Sequence, residues 1–276
     1  MTTDTPRLSE TVTPNPNKIL NLTGTIWFVV ATAGQWLFGL YIVLFYGKST
    51  IMGNFEQWNK ALPRGYVPGD WKGNVAIGTH VLLAAVMVLG GPLQLMPQVR
   101  NRFCNFHRWL GRTYVVTAMV VSTAGVWMIW TRGAVGDTFM HLSNSIQAIY
   151  IVLFALFCIR SARKRQLSMH RIWALRLFMV ANGVWFFRIG LLCWLVLNGG
   201  PVGFDPKTFT GPFLTILSLF SYAVPLPLIV LELYLYAQRK QVKALSLAVG
   251  TLIAFCTVLM VIGIIGAAMG LWLPRL

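Results

Sequence analysis

Seven apolar runs restrict this chain more than any other feature. They fall at about 24–46, 75–97, 109–130, 142–160, 171–197, 212–236 and 245–272. Each is near the roughly 20 residues that an α-helix needs to cross a hydrocarbon core. In lipid, backbone N–H and C=O groups must be satisfied within the protein, so runs of this kind fold as helices. The expected fold is all-α, a single integral membrane bundle of seven transmembrane helices over 24–272 with a core at 75–197. Only 11% of the residues are charged, against about a quarter in a soluble domain. That deficit excludes a soluble globular enzyme and a disordered chain. Residues 1–23, rich in Thr and Pro, read as a disordered tail without a signal-peptide core, and residues 47–74 as a longer outer loop.

The basic residues orient the bundle. One side collects Arg7, Lys18, Arg100, Arg102, Arg108, Arg112, Arg160, Arg163, Lys164, Arg165, Arg171, Arg239, Lys240 and Lys243. The other side has half as many: Lys48, Lys60, Arg64, Lys72, Arg132, Lys207 and Arg275. Cytoplasmic loops carry the positive excess, so the N-terminus is expected inside and the C-terminus outside. The net charge of +16 then reads as an orientation signal near anionic lipid. It does not read as a nucleic-acid surface, because the basic residues are divided among short loops.

Two cations, Arg176 and Arg188, lie within the fifth run, and Glu232 within the sixth. Ionisable groups at such depth face protein, cofactor or water. Glu232 is expected to pair with Arg176 or Arg112. Cys104, Cys158, Cys193 and Cys256 form no CxxC pair, so each reads as a buried free thiol.

The four histidines carry the strongest chemical signal. His80 lies near the outer end of the second span and His141 at the outer start of the fourth. His107 lies at the inner start of the third and His170 at the inner start of the fifth. In a central four-helix core made of spans two to five, alternate helices are diagonal neighbours. Each pair can then clamp a flat ligand from both faces, as a six-coordinate haem requires. Interfacial histidines with one solvated nitrogen give the same placement. A four-ligand metal site is not supported, since the histidines sit at two depths. Arg108 and Arg171 directly follow the inner histidines and suit carboxylates such as haem propionates, or simple anchoring at the inner face. Arg188 reaches the outer level and suits an outer propionate or another anion. Gly91, beside Gly90 and Pro92, lets a helix or ring approach closely, or marks a kink. Asn144 and Gln147 lie a turn or two from His141 and are candidates to line its pocket. Gly263, Gly266 and Gly270 read as packing positions, and Pro92, Pro225 and Pro227 as kinks.

Helices three and five begin alike, with FHRWLGRTYVV at 106–116 and MHRIWALRLFMV at 169–180. This suggests two related hairpins in parallel arrangement. The series His80, Gly91-Pro92-Leu93-Gln94, Arg100, His107-Arg108, Gly111-Arg112-Thr113-Tyr114, His170-Arg171-Ile172-Trp173, Arg176 and Arg188-Ile189 resembles a bacterial polytopic membrane family, a domain of unknown function, over about 75–190. The placement of the histidines is also similar to the ascorbate-dependent transmembrane cytochrome b family. That likeness implies an outer haem on His80 and His141 and an inner haem on His107 and His170.

The functional expectation is a membrane oxidoreductase of the b-type cytochrome kind. It would carry two haems, or one, and pass electrons between a quinol or small reductant and an acceptor across the bacterial inner membrane. The rival readings are a non-catalytic accessory or assembly subunit of a larger membrane complex, and transport of a small anionic or lipid-like substrate past Arg176 and Arg188. A homodimer through helix seven is a further expected association.

Overall fold

The computed structural model describes residues 17–62, 64–133 and 135–276. Ten α-helices follow one another among these residues: α1 (Lys18–Ile51), α2 (Trp71–Leu95), α3 (Pro97–Arg102), α4 (Cys104–Met128), α5 (Thr138–Arg163), α6 (Leu167–Ala181), α7 (Gly183–Asn198), α8 (Pro212–Ser218), α9 (Leu226–Lys240) and α10 (Lys243–Ala267). Short π-turns extend α4, α8 and α10. Five helices are long and apolar enough to cross a membrane without a break. The other two spans are broken: α6 and α7 meet at 50°, and α8 with its π-turn meets α9 at 47°. Counting each bent pair once gives the seven spans that the apolar runs imply.

The first helix differs from the expectation at both ends. It begins at Lys18 and runs to Ile51, so 18–23 belong to the helix and the outer loop shortens. The rest of the expected tail, residues 1–16, lies outside the described residues. The loop packs on itself, with the buried Trp58 edge-on to Tyr46 and Phe55, and Phe55 stacked on Tyr66. Local capping explains two helix starts. The Asp70 carboxylate accepts from the Gly73 N–H at 2.9 Å, and Asp137 from the Met140 N–H at 2.8 Å.

The expected core of spans two to five exists in one half of the bundle. There Met87 of α2, Tyr114 and Ala118 of α4, Ile151 and Ala155 of α5, and Leu177 and Val180 of α6 form one apolar cluster. The bend after Ala181 then takes the chain out of that cluster. Trp185, Ile189 and Leu192 of α7 pack instead with Phe38, Tyr41 and Phe45 of α1 and Met260 and Trp272 near the C-terminus. The glycines of helix seven serve this contact within the chain: a side chain at Gly263 would strike Ile189, and one at Gly266 would strike Val196. Gly270 faces open space. Large apolar side chains such as Val116 and Ile149 point outward, as lipid contact requires.

Both helix breaks have physical causes. Pro225 and Pro227 lack N–H groups, so the carbonyls of Ser221 and Ala223 lose their partners four residues on. The Tyr150 hydroxyl donates to the Ala223 carbonyl at 3.2 Å. At the other break the Gln147 amide donates to the Val180 carbonyl at 2.6 Å, and the Asn182 amide to Phe178 at 2.8 Å. Gln147 and Tyr150 are three residues apart and so share one face of α5. Gly183 makes room for the first contact, because a Cβ there would overlap Gln147 and lie 2.9 Å from the Ser221 carbonyl. By contrast α2 runs unbroken through Pro92.

Replacing Gln147 by Leu removes one of the hydrogen bonds to the Val180 carbonyl, which also accepts a backbone N–H, and should destabilise the fold by about 0.5–1.5 kcal/mol. Ile149→Ala, on the outward face, should stay within about 0.5 kcal/mol. Thermal unfolding in detergent measures both.

Candidate functional site

The helix starts at Lys18, Cys104, Leu167 and Lys243 carry most of the basic residues and lie at one end of the bundle, called here the basic end. His107 occupies the first turn of α4 and His170 the first turn of α6, both at that end. The Nδ1 of His170 lies 3.1 Å from the Cys158 carbonyl oxygen and 3.4 Å from its Sγ. A carbonyl only accepts, so this contact puts the proton on Nδ1 and leaves Nε2 with its lone pair. His107 Nδ1 is buried and has no partner among the described residues.

At the opposite end, His80 Nδ1 and His141 Nε2 are likewise buried without partners among the described residues. His80 packs toward α4, where a Cβ on Gly125 would be 3.5 Å from its Cε1. His141 meets the Trp130 ring edge-on at 5.8 Å. The Trp130 indole N–H donates to Ser145 Oγ at 3.1 Å, and Ser145 donates to the His141 carbonyl at 2.9 Å. Both far-end rings therefore rest on one stretch of α4 and its π-turn.

The structure places three neighbouring candidates. Gly91 lets helices approach closely, its flank filled by Tyr114 of α4 and Phe178 of α6 at 3.1 and 3.2 Å from a built Cβ. Asn144 turns back to its own helix, donating to Met140 at 3.2 Å. Gln147 is consumed by the break at Val180 and does not line a pocket beside His141. Cys104 is exposed rather than buried, while Cys158 and Cys193 are buried as expected and Cys256 is intermediate. Arg108 and Arg171 stand exposed beside His107 and His170.

The Arg176–Glu232 pair is present. Arg176 Nε and Nη2 meet the two carboxylate oxygens at 2.6 and 2.9 Å, and the guanidinium lies 4.5 Å from the centre of the Trp173 ring. Arg112 stacks on Trp109 instead. The pair joins α6 to α9 across the broken spans. Arg188 has no such carboxylate. Among the described residues it has no hydrogen bond or ion pair, and its guanidinium lies 5.1 Å over the Phe38 ring.

No three His, Cys, Asp or Glu side chains among the described residues converge to hold a metal ion. An ion bound by protein ligands alone has no ready cage there. A porphyrin supplies four nitrogens of its own and asks the protein for two imidazoles, so the paired histidines meet its donor requirement. The Cys158 contact was missed in the sequence, although twelve residues across a helical hairpin bring those two positions together.

With the bundle in view, the chain is a multi-pass helical membrane protein. Residues 77–209 match a family described as "Predicted membrane protein (DUF2306)", in keeping with the resemblance over 75–190. Neither the curated proteins nor the solved structures contain a match.

Glu232→Gln removes the partner of a charge in a bent, lipid-embedded region. The side chains are 23% and 39% exposed, so the cost is below that of a fully buried pair. A loss of about 1–3 kcal/mol is expected. The Arg176→Gln, Glu232→Gln double variant should recover part of it in thermal unfolding.

Proposed function

We propose that this protein is a b-type di-haem electron carrier of a bacterial inner membrane, moving electrons between a quinol or small reductant and an acceptor. The observation that carries this reading is at the basic end: His170 Nδ1 is held by the Cys158 carbonyl at 3.1 Å, and His107 lies in the first turn of α4 at the same end. Metal-bound histidines typically donate their second ring nitrogen to a backbone carbonyl or carboxylate, which fixes ring orientation and raises ligand basicity. An interfacial histidine has no need of this arrangement. His107 and His170 would hold the haem at this end, and His80 and His141 the one at the other end.

Haem held by these histidines would supply one-electron chemistry. The protein's own part is to present neutral imidazoles, exclude water and keep the rings apart from solvent. The unpartnered nitrogens of His80, His107 and His141 support the same assignment, because buried polar atoms without partners are rare in a folded protein. Arg108 and Arg171 are placed to meet carboxylates at the basic surface. From His80 to the end of α2 at Leu95 is roughly 22 Å of helix, which sets the two levels toward opposite sides of the membrane.

Protein expressed with ample haem should show a Soret band and two haems per chain. His170→Ala and His107→Ala should each remove one haem and leave the other, and His80→Ala and His141→Ala the converse. Folded protein without a Soret band overturns the proposal.

A further inference from the structure

The structure assigns a second site, independent of the imidazole pairs, that takes a carboxylate at Arg188. This guanidinium lies on α7 within a membrane-spanning segment, over Phe38 of α1. A lone cation in such a setting is costly, and intramembrane Arg normally pairs with an anion or lines a water-filled space. Its surroundings have been built from the right groups. Phe38 lies under it at 5.1 Å, and the Phe38 ring stacks on Tyr41 at 6.3 Å. Neither contributes a negative charge. Arg188 and Tyr41 instead bring N–H and O–H donors to one aromatic face.

A separate observation points the same way. Tyr41 is 4% exposed, and its hydroxyl has no partner among the described residues. Gln35, six residues earlier on α1, is fully buried, and neither its Nε2 nor its Oε1 is paired there. Phe38 sits between them. Leaving such groups unmade costs about 1–3 kcal/mol each, so this stretch of α1 is the part of the interior that asks for a polar occupant. The requirement is for an acceptor with a full negative charge. A carboxylate meets it by bidentate contact to the guanidinium, with a phenol as a third donor. Phe38 and Trp272 pack on each other with centroids 5.2 Å apart, and that aromatic surface beside the guanidinium favours a carboxylate on an apolar or aromatic body.

That carboxylate has two sources, a free small acid or the propionate of a haem held nearby. The second source rests on the proposed function, and the first does not. Haem-free protein in detergent should show a saturable change in tryptophan fluorescence and a rise in melting temperature with benzoate, and none with benzamide. Arg188→Gln should abolish the response. Tyr41→Phe should weaken benzoate binding by roughly tenfold, the loss of one hydrogen bond to a charged group. Arg188→Lys, which keeps the charge without the fork, should retain part of it. Haem-loaded protein separates the sources. If haem blocks benzoate and haem dimethyl ester does not, the natural carboxylate is a propionate. If neither blocks it, the ligand is a free acid. Folded wild-type protein that ignores benzoate, or an Arg188→Gln variant that binds it equally well, overturns the site. Failure to bind haem leaves the benzoate measurement intact, so the two proposals fail separately.

Discussion

Hydrocarbon offers no partner to a free backbone carbonyl, and that constraint organises the bundle. Five spans satisfy it by running as unbroken helices. The other two are broken, and their released carbonyls have to be met by side chains from a neighbour. Helix α5 supplies them, with Gln147 at Val180 and Tyr150 at Ala223. One face of one straight helix thus holds two bends in place. The bends in turn decide where the polar residues of the fifth and sixth spans arrive.

The consequence for chemistry is a division along the membrane normal. On the side of α6, spans two to five close around a shared apolar cluster, with His107 and His170 at its end. Beyond the bend, α7 belongs to a different group with α1 and α10, and it carries Arg188 over Phe38. Arg176, on the near side of the bend, is neutralised by Glu232 from α9. Two arginines twelve residues apart therefore have opposite electrostatic settings. One is fixed in an ion pair that ties the broken spans together. The other meets the Phe38 ring and, among the described residues, no carboxylate.

The histidine pairs and the arginine site are compatible in this arrangement. His80 packs toward Gly125 of α4, whereas Arg188 lies over Phe38 of α1.

Composition and the spacing of apolar runs were enough to place this chain in a membrane as helices, because burial of backbone polar groups in lipid admits few alternatives. The position of each histidine along its helix also followed from counting residues. The Arg176–Glu232 pairing could be anticipated because a lone carboxylate in lipid needs a cation at the same depth. Rotation about each helix axis was a different matter. Nothing in the local sequence tells Asn144 to turn to its own helix, Gln147 to serve a break in another span, or Tyr114 and Phe178 to fill the space beside Gly91. The bend at Asn182 was likewise illegible, since no proline marks it and its stability comes from an amide on a different helix. Those outcomes are settled only when neighbouring spans pack, because side-chain contacts between distant segments depend on crossing geometry and on which broken backbone groups remain to be met.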